Sequence, residues 1–275
     1  MINITHKKPN KRLSKYVRKI SIFKNTGNLK FRQKLMLSPF TYLSYNQRDI
    51  PVSIFKNKRI KPNNRLQIAG PKINEDIYVE YSGRLCQILV EFTASGFYYL
   101  FHISPSKLIN NLSNLSNFVS SEMCGQLEQE LLESENIEQQ INLLEEFLFE
   151  KLYTALPFSG YIEKALQVIE EHNGSIHIGD LLQEVGISER QFNRKFREVV
   201  GITPKCYSKL LQLHYVINLI HTKNYGSMQD IAYSAEFYDL PHFAHRFKEL
   251  TGFTPVEFTK SDKHIALKYF TDLIK

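Results

Sequence analysis

Between residues 180 and 255 the pattern of apolar and polar positions is written twice. Asp180-Leu181, Val185-Gly186-Ile187-Ser188, Phe192, Phe196 and Gly201-Ile202-Thr203-Pro204 return about fifty residues later. The second copy reads Asp230-Ile231, Ala235-Glu236-Phe237, Phe243, Phe247 and Gly252-Phe253-Thr254-Pro255. Each copy predicts a short helix, a tight turn, a second helix with two phenylalanines one turn apart, and a further helix restarted by Thr-Pro. That is a helix-turn-helix in tandem, with recognition helices expected at 189–199 and 240–250. Between them, Pro204 to Thr222 reads as one long helix carrying Leu210, Leu211, Val216, Leu219 and Ile220, which holds the two motifs at a fixed separation. Ser188 to Gln191 and Thr254 to Glu257 have capping-box spacing, and Ser227 to Asp230 is a weaker version. Pro204 and Pro255 suit the first helical position, where no backbone donor is needed.

Upstream the period changes. Short runs at 35–37, 41–45, 52–55, 66–69, 77–81 and 85–90 are rich in aromatic and β-branched residues and punctuated by Pro, Asn and Gly, as in a small antiparallel sheet or barrel. A short helix is expected at 93–100, and two more within 125–156, at 125–132 and 137–156. In the last of these Ile137, Ile141, Leu144, Leu148 and Leu152 recur at helical spacing, the mark of a core stripe or, less simply, of a dimer seam. Pro157-Phe158-Ser159-Gly160 breaks the pattern, and a helix from Ser159 to Glu171, closed by Asn173-Gly174, opens the next domain. The expected fold is α+β: a β-rich N-terminal domain over 1–157 with helices at its end, an all-α domain over 158–262 with its two motifs joined by a long helix, and a tail over 263–275.

A chain of 275 residues suits two domains, and its 43% apolar content fits ordinary cores. No apolar run approaches transmembrane length, and no apolar signal core follows the N-terminal charges, so a cytoplasmic, nucleoid-associated protein without a membrane partner is expected. Cys86, Cys124 and Cys206 are odd in number and form no C-x-x-C pair, which predicts buried reduced thiols and no zinc site. The net charge of +7 is uneven: Lys+Arg against Asp+Glu count 18 to 1 over residues 1–72, 3 to 13 over 73–158 and 14 to 14 over 159–275. The tandem-motif region is neutral as a whole, so nucleic-acid binding there requires its cations to be sorted onto one face. The basic first segment can touch phosphate or simply offset the acidic stretch after it.

The sorting is visible in the first recognition helix. Phe192, Phe196 and Val199 share one side, while Arg190, Asn193, Arg194 and Arg197 follow one another at i, i+3, i+4 and i+7 on the other. Arginine pairs in bidentate fashion with guanine and asparagine with adenine, and both also hold phosphate. An isolated helix with this face would simply be solvated, but the turn before it favours DNA contact. Lys195 lies off the stripe and suits a phosphate. The second helix buries Phe243, Phe247 and Leu250, turns Pro241, Ala244, His245 and Lys248 outward, and has His242 and Arg246 at the flanks. His242, His245 and Arg246 are its best donors, fewer than in the first helix. His242 and His245 form an i, i+3 pair without a third ligand, which is no metal site.

The residues Gly201-Ile202-Thr203-Pro204, Phe237-Tyr238-Asp239, His242-Phe243, Phe247-Lys248 and Gly252-Phe253-Thr254-Pro255 resemble the C-terminal DNA-binding domain of the AraC/XylS family of bacterial transcription regulators, over about 159–260. Tyr16-Val17, Glu91-Phe92 and Ser104-Pro105 are similar to one N-terminal type found in that family. The resemblance implies double-stranded DNA as partner, an N-terminal half for effector sensing or homodimer formation, and contact with RNA polymerase in activation or repression. It maps base contacts to Arg190, Asn193 and Arg194 in the first helix and around Leu240, Pro241, Ala244 and His245 in the second. Departures are Glu236 where the second turn's glycine is expected, so that the turn must be made without glycine's easy positive φ, Gln212 for an arginine on the linker helix, and His245 for an arginine in the second recognition helix. Neither an enzyme nor a cofactor is expected, since no G-x-S-x-G, phosphate-binding loop, dinucleotide fingerprint or H-E-x-x-H occurs. The competing readings are an enzyme fused to a regulatory module and a non-DNA-binding interaction protein derived from a regulator.

Overall fold

The computed structural model describes residues 2–56, 58–185, 187–222 and 225–260. The described residues divide into two compact units: 2–35, 40–158 and 198–201 in the first, and 36–39, 159–197 and 202–260 in the second.

The first unit holds ten strands among its described residues: β1 (Ile2–Lys7), β2 (Val17–Asn25), β3 (Leu29–Lys34), β4 (Tyr42–Asn46), β5 (Val52–Phe55), β6 (Lys58–Ile60), β7 (Leu66–Ala69), β8 (Ile77–Gly83), β9 (Cys86–Phe92) and β10 (Leu112–Asn114). Its helices are α1 (Gly96–Phe101), α2 (Ser121–Glu133) and α3 (Ile137–Leu152). One antiparallel sheet runs β1-β2-β9-β4-β7-β10 and a second runs β3-β8-β5-β6. Register fixes what the first sheet buries: Leu43 lies opposite Val90 and Ile68, and Tyr45 opposite Ile88 and Leu66. These residues join Phe97, Leu100, Leu127, Ile141, Leu144 and Leu148 from the helices in one core. The apolar stripe of α3 is therefore core and is no dimer seam.

Several expected strands are corrected. β1, β2, β3, β6 and β10 lie outside the runs expected as strands, and 35–37 is not a strand. Charged residues hid β2, because Lys19 and Glu91 sit opposite one another in the β2–β9 register and are both buried. Glu91 accepts from Arg18 Nη1 at 2.6 Å and lies 3.9 Å from Lys19 Nζ, which offsets the desolvation of a fully buried carboxylate. The register shift between Val17 and Lys19 brings Arg18 into reach. Leu35 is held by single contacts instead of a ladder: its N–H donates to Ile77 O at 2.8 Å, and its carbonyl accepts from the buried Lys72 ammonium. Burial lowers the Lys72 pKa to about 7, with Lys34 adding to the effect and Asp76 opposing it.

The helical segment also differs from expectation. α2 starts at Ser121 because the Ser120 hydroxyl caps it, accepting from the Met123 N–H at 3.2 Å. Asn136 caps α3 in the same way through Gln139, so 134–136 interrupts the two helices. α3 ends at Leu152, four residues early, and the Leu156 N–H donates to Tyr99 O at 3.0 Å. Cys86 and Cys124 are buried as expected, whereas Cys206 is only half-buried.

From Gly160 onward every element among the described residues is a helix: α4 (Gly160–Glu171), α5 (Ile178–Val185), α6 (Glu189–Val200), α7 (Pro204–Thr222), α8 (Met228–Ser234), α9 (Leu240–Thr251) and α10 (Pro255–Lys260). α4 is closed by Asn173 and Gly174, both at positive φ. A Cβ on Gly174 would fall 2.1 Å from the Ser208 carbonyl, so glycine lets this turn lie directly on α7. α4 is tied to α7 a second time by Tyr207, whose hydroxyl donates to Glu170 Oε1 at 2.6 Å. Leu210, Val216, Leu219 and Ile220 on α7 are buried as expected, and Leu211 is half-buried.

Candidate nucleic-acid interface

The first motif is α5, a turn and α6; Gly186 in the turn lies outside the described residues. The Ser188 hydroxyl accepts from the Gln191 N–H at 3.3 Å, one half of the capping box expected there. Phe192, Phe196 and Val199 are fully buried. The rings of Phe192 and Phe196 lie 5.5 Å apart, and Phe196 meets Tyr207 of α7 edge-on at 5.8 Å. This aromatic seat fixes the rotation of α6. As a result Arg190, Arg194 and Arg197 are exposed, with Asn193 half-buried in the same stripe. The Asn193 amide approaches Glu189 Oε1 at 3.5 Å, at the limit of a hydrogen bond. Lys195 lies off the stripe and is half-buried.

The second motif is α8, a turn and α9. Ser227 and Asp230 form a complete capping box: the Asp230 N–H donates to the serine hydroxyl at 3.2 Å, and the Ser227 N–H donates to the carboxylate at 2.6 Å. The sequence had suggested a weaker version. The Asp239 carboxylate caps α9, accepting from the His242 N–H at 2.7 Å, and Gly252 closes the helix at φ 85°. Phe243 and Phe247 are buried in a ring series running from Phe237 through both to Phe258, while Leu250 is only half-buried. Thr254 and Glu257 cap α10 with another complete box.

The donors of α9 are less available than their positions suggested. Arg246 pairs with Glu249 one turn along the helix, and the His242 ring packs edge-on against Phe237 at 5.6 Å. His245 and Lys248 are exposed. Positive charge gathers beside them on α7, where desolvation and then the neighbouring Arg246 and Lys205 lower the Lys209 pKa. An anion close to this cluster would relieve that repulsion.

Two of the departures named from the sequence, Glu236 and Gln212, meet at the second turn. Glu236 takes φ 55°, so the turn keeps the left-handed conformation after all and places a non-glycine residue in it. Gln212, legible only as a missing arginine, donates its amide to the Ala235 carbonyl at 2.6 Å and reaches Ser175 Oγ at 3.4 Å. The linker helix thereby holds the turn of the second motif. Tyr238, next to the Asp239 cap, is 93% exposed at the end that a helix-turn-helix directs toward the groove. It lies outside the helical periodicity, so a search for helical faces passes over it. Among the described residues no group of three His, Cys, Asp or Glu side chains is placed to hold a metal ion, and no helix is long and apolar enough to cross a membrane.

Two helix-turn-helix units, the first with its arginines on one exposed face, define a helix-turn-helix domain. Residues 181–261 match the family described as "Helix-turn-helix domain". Among solved structures, the chain is similar to ToxT from Vibrio cholerae, at 15% identity over 94% of this chain and 97% of that one, with a TM-score of 0.45. It is also similar to the AraC-like transcriptional activator CuxR, at 12% identity over 74% of this chain and 82% of that one, with a TM-score of 0.27. Comparison with curated proteins returned no match.

Proposed function

We propose that the chain regulates transcription by placing α6 and α9 in adjacent major-groove segments of one DNA duplex. The observation that carries this reading is the division of α6 between a fully buried Phe192–Phe196 side and an exposed arginine stripe. Arg190, Asn193 and Arg194 read bases; Arg197 and Lys195 hold phosphates. On α9, His245 and Lys248 contact the duplex, while His242 and Arg246, engaged within their own motif, contribute less. Tyr238 adds a backbone contact at the mouth of the second groove.

The domains behind this reading are 1–157, for effector sensing or self-association, and 158–262, for DNA; the tail at 263–275 lies outside the described residues. The protein works in the cytoplasm on the nucleoid, without enzymatic activity, and meets RNA polymerase at its promoters. Footprinting at about 0.15 M salt, near physiological ionic strength, tests the proposal. Two protected segments about one helical turn apart, roughly 10 bp, are expected. A single protected segment, or equal affinity for operator and scrambled DNA, would overturn it.

A further inference from the structure

The α2–α3 hairpin carries a surface groove of about 410 Å³ that no part of the regulator reading uses. Its floor is apolar: Leu127 and Phe147 are buried, with Met123 and Leu143 half-buried beside them. Its rim is acidic, formed by the exposed Glu122, Glu130, Glu146 and Glu150. A second cavity of about 420 Å³ shares Glu130, Leu143 and Glu146 and adds Glu133, so the groove extends along the hairpin. Neither cavity is lined by a lysine or arginine. The surrounding segment, residues 73–158, carries 13 acidic side chains against 3 basic ones.

We infer that this groove is the docking site of a basic amphipathic helix from another protein. An apolar floor between two antiparallel helices accepts side chains repeating at i, i+3, i+4 and i+7, as in helix-in-groove recognition. The glutamate rim selects lysine or arginine on both flanks of that stripe and steers their approach. The same charge argues against a second copy seated through this face, because a two-fold contact would set the carboxylates against one another. α3 has 16 residues, so a matching partner helix spans roughly 24 Å, about four turns.

The probe is a fluorescent synthetic peptide of lysine and leucine, about five helical turns long, with its leucines on one face. Its control has the same composition with the leucines scrambled. In anisotropy titrations with the full chain, the amphipathic peptide should bind at least about tenfold more tightly than the control, a gap equal to about 1.4 kcal/mol. Leu143→Lys should remove that preference and leave operator binding unchanged, whereas Glu171→Gln, an equal change of charge on α4, should keep it. If Leu143→Lys lowers the melting temperature, the pair Glu130→Gln and Glu146→Gln decides in its place. Equal binding of both peptides, or a preference that survives the groove variants, overturns the proposal. So does concentration-dependent dimerisation that the groove variants abolish, because the groove would then belong to a second copy.

Discussion

The side-chain amide of Gln212, in the middle of the linker helix, donates to the backbone carbonyl of Ala235 at 2.6 Å, in the last turn before the second recognition helix. The same amide reaches Ser175 Oγ, and Ser175 Oγ in turn donates to Ala235 O at 3.3 Å. One carbonyl thus collects two side-chain donors. The orientation of α9 depends on α7 and on the segment after α4, as well as on its own motif.

Gln212→Ala should therefore cost about 1 kcal/mol of stability, the usual net worth of one such hydrogen bond. It should weaken protection over the second half-site more than over the first. Chemical denaturation and footprinting of the same variant measure the two effects, and equal loss at both half-sites would contradict the pinning role.

Glu236 sits at φ 55°, a conformation that disfavours side chains with a Cβ. Relieving that strain outweighs the extra unfolded-state entropy of glycine, so Glu236→Gly should stabilise the chain by about 0.5–1 kcal/mol. A lower melting temperature in the variant would show that the glutamate side chain contributes more than its backbone costs.

Arg194→Ala should cost about 1–3 kcal/mol on the cognate site and little on scrambled DNA, if the arginine reads a base. His245→Ala should lose less, since α9 offers fewer bidentate donors. Titrations on both DNAs decide; equal loss on both for Arg194→Ala would make that residue a phosphate contact, which should also lower the salt slope.

Phe196→Ala acts through the core. It removes a fully buried ring that packs on Phe192 and Tyr207, for roughly 3–5 kcal/mol. Binding should fall on all sequences in proportion to the unfolded fraction seen by circular dichroism.

Lys72 gives a pH dependence. Its folded pKa of about 7 lies below the ordinary 10.5 because of burial. From about pH 7 upward the unfolded chain binds more protons at this lysine than the folded chain does. Stability from this group therefore rises with pH across that interval and falls as the pH drops through 7. Lys72→Met should flatten the slope of stability against pH between about 7 and 10, measured by denaturation at fixed ionic strength.

By itself the sequence determined the tandem motif, the buried phenylalanine pairs and the arginine stripe of α6, because helical periodicity and capping are local in the chain. The helix starts at Ser188, Ser227 and Thr254 were legible for the same reason: a cap involves residues three apart. Only the tertiary structure decided what depends on partners far along the chain. β2 is a strand because Glu91, some seventy residues away, neutralises the cations that obscured it. α3 stops at Leu152, with the Leu156 N–H directed to Tyr99 instead of into another helical turn. Arg246 and His242 stand at helix positions suited to DNA, yet Glu249 and the Phe237 ring engage them. Gln212 is a missing arginine in the sequence, and only the placement of Ala235 beside it gives its amide a carbonyl to hold. Periodicity tells which face a side chain occupies; the groups across that face decide whether it is free to act.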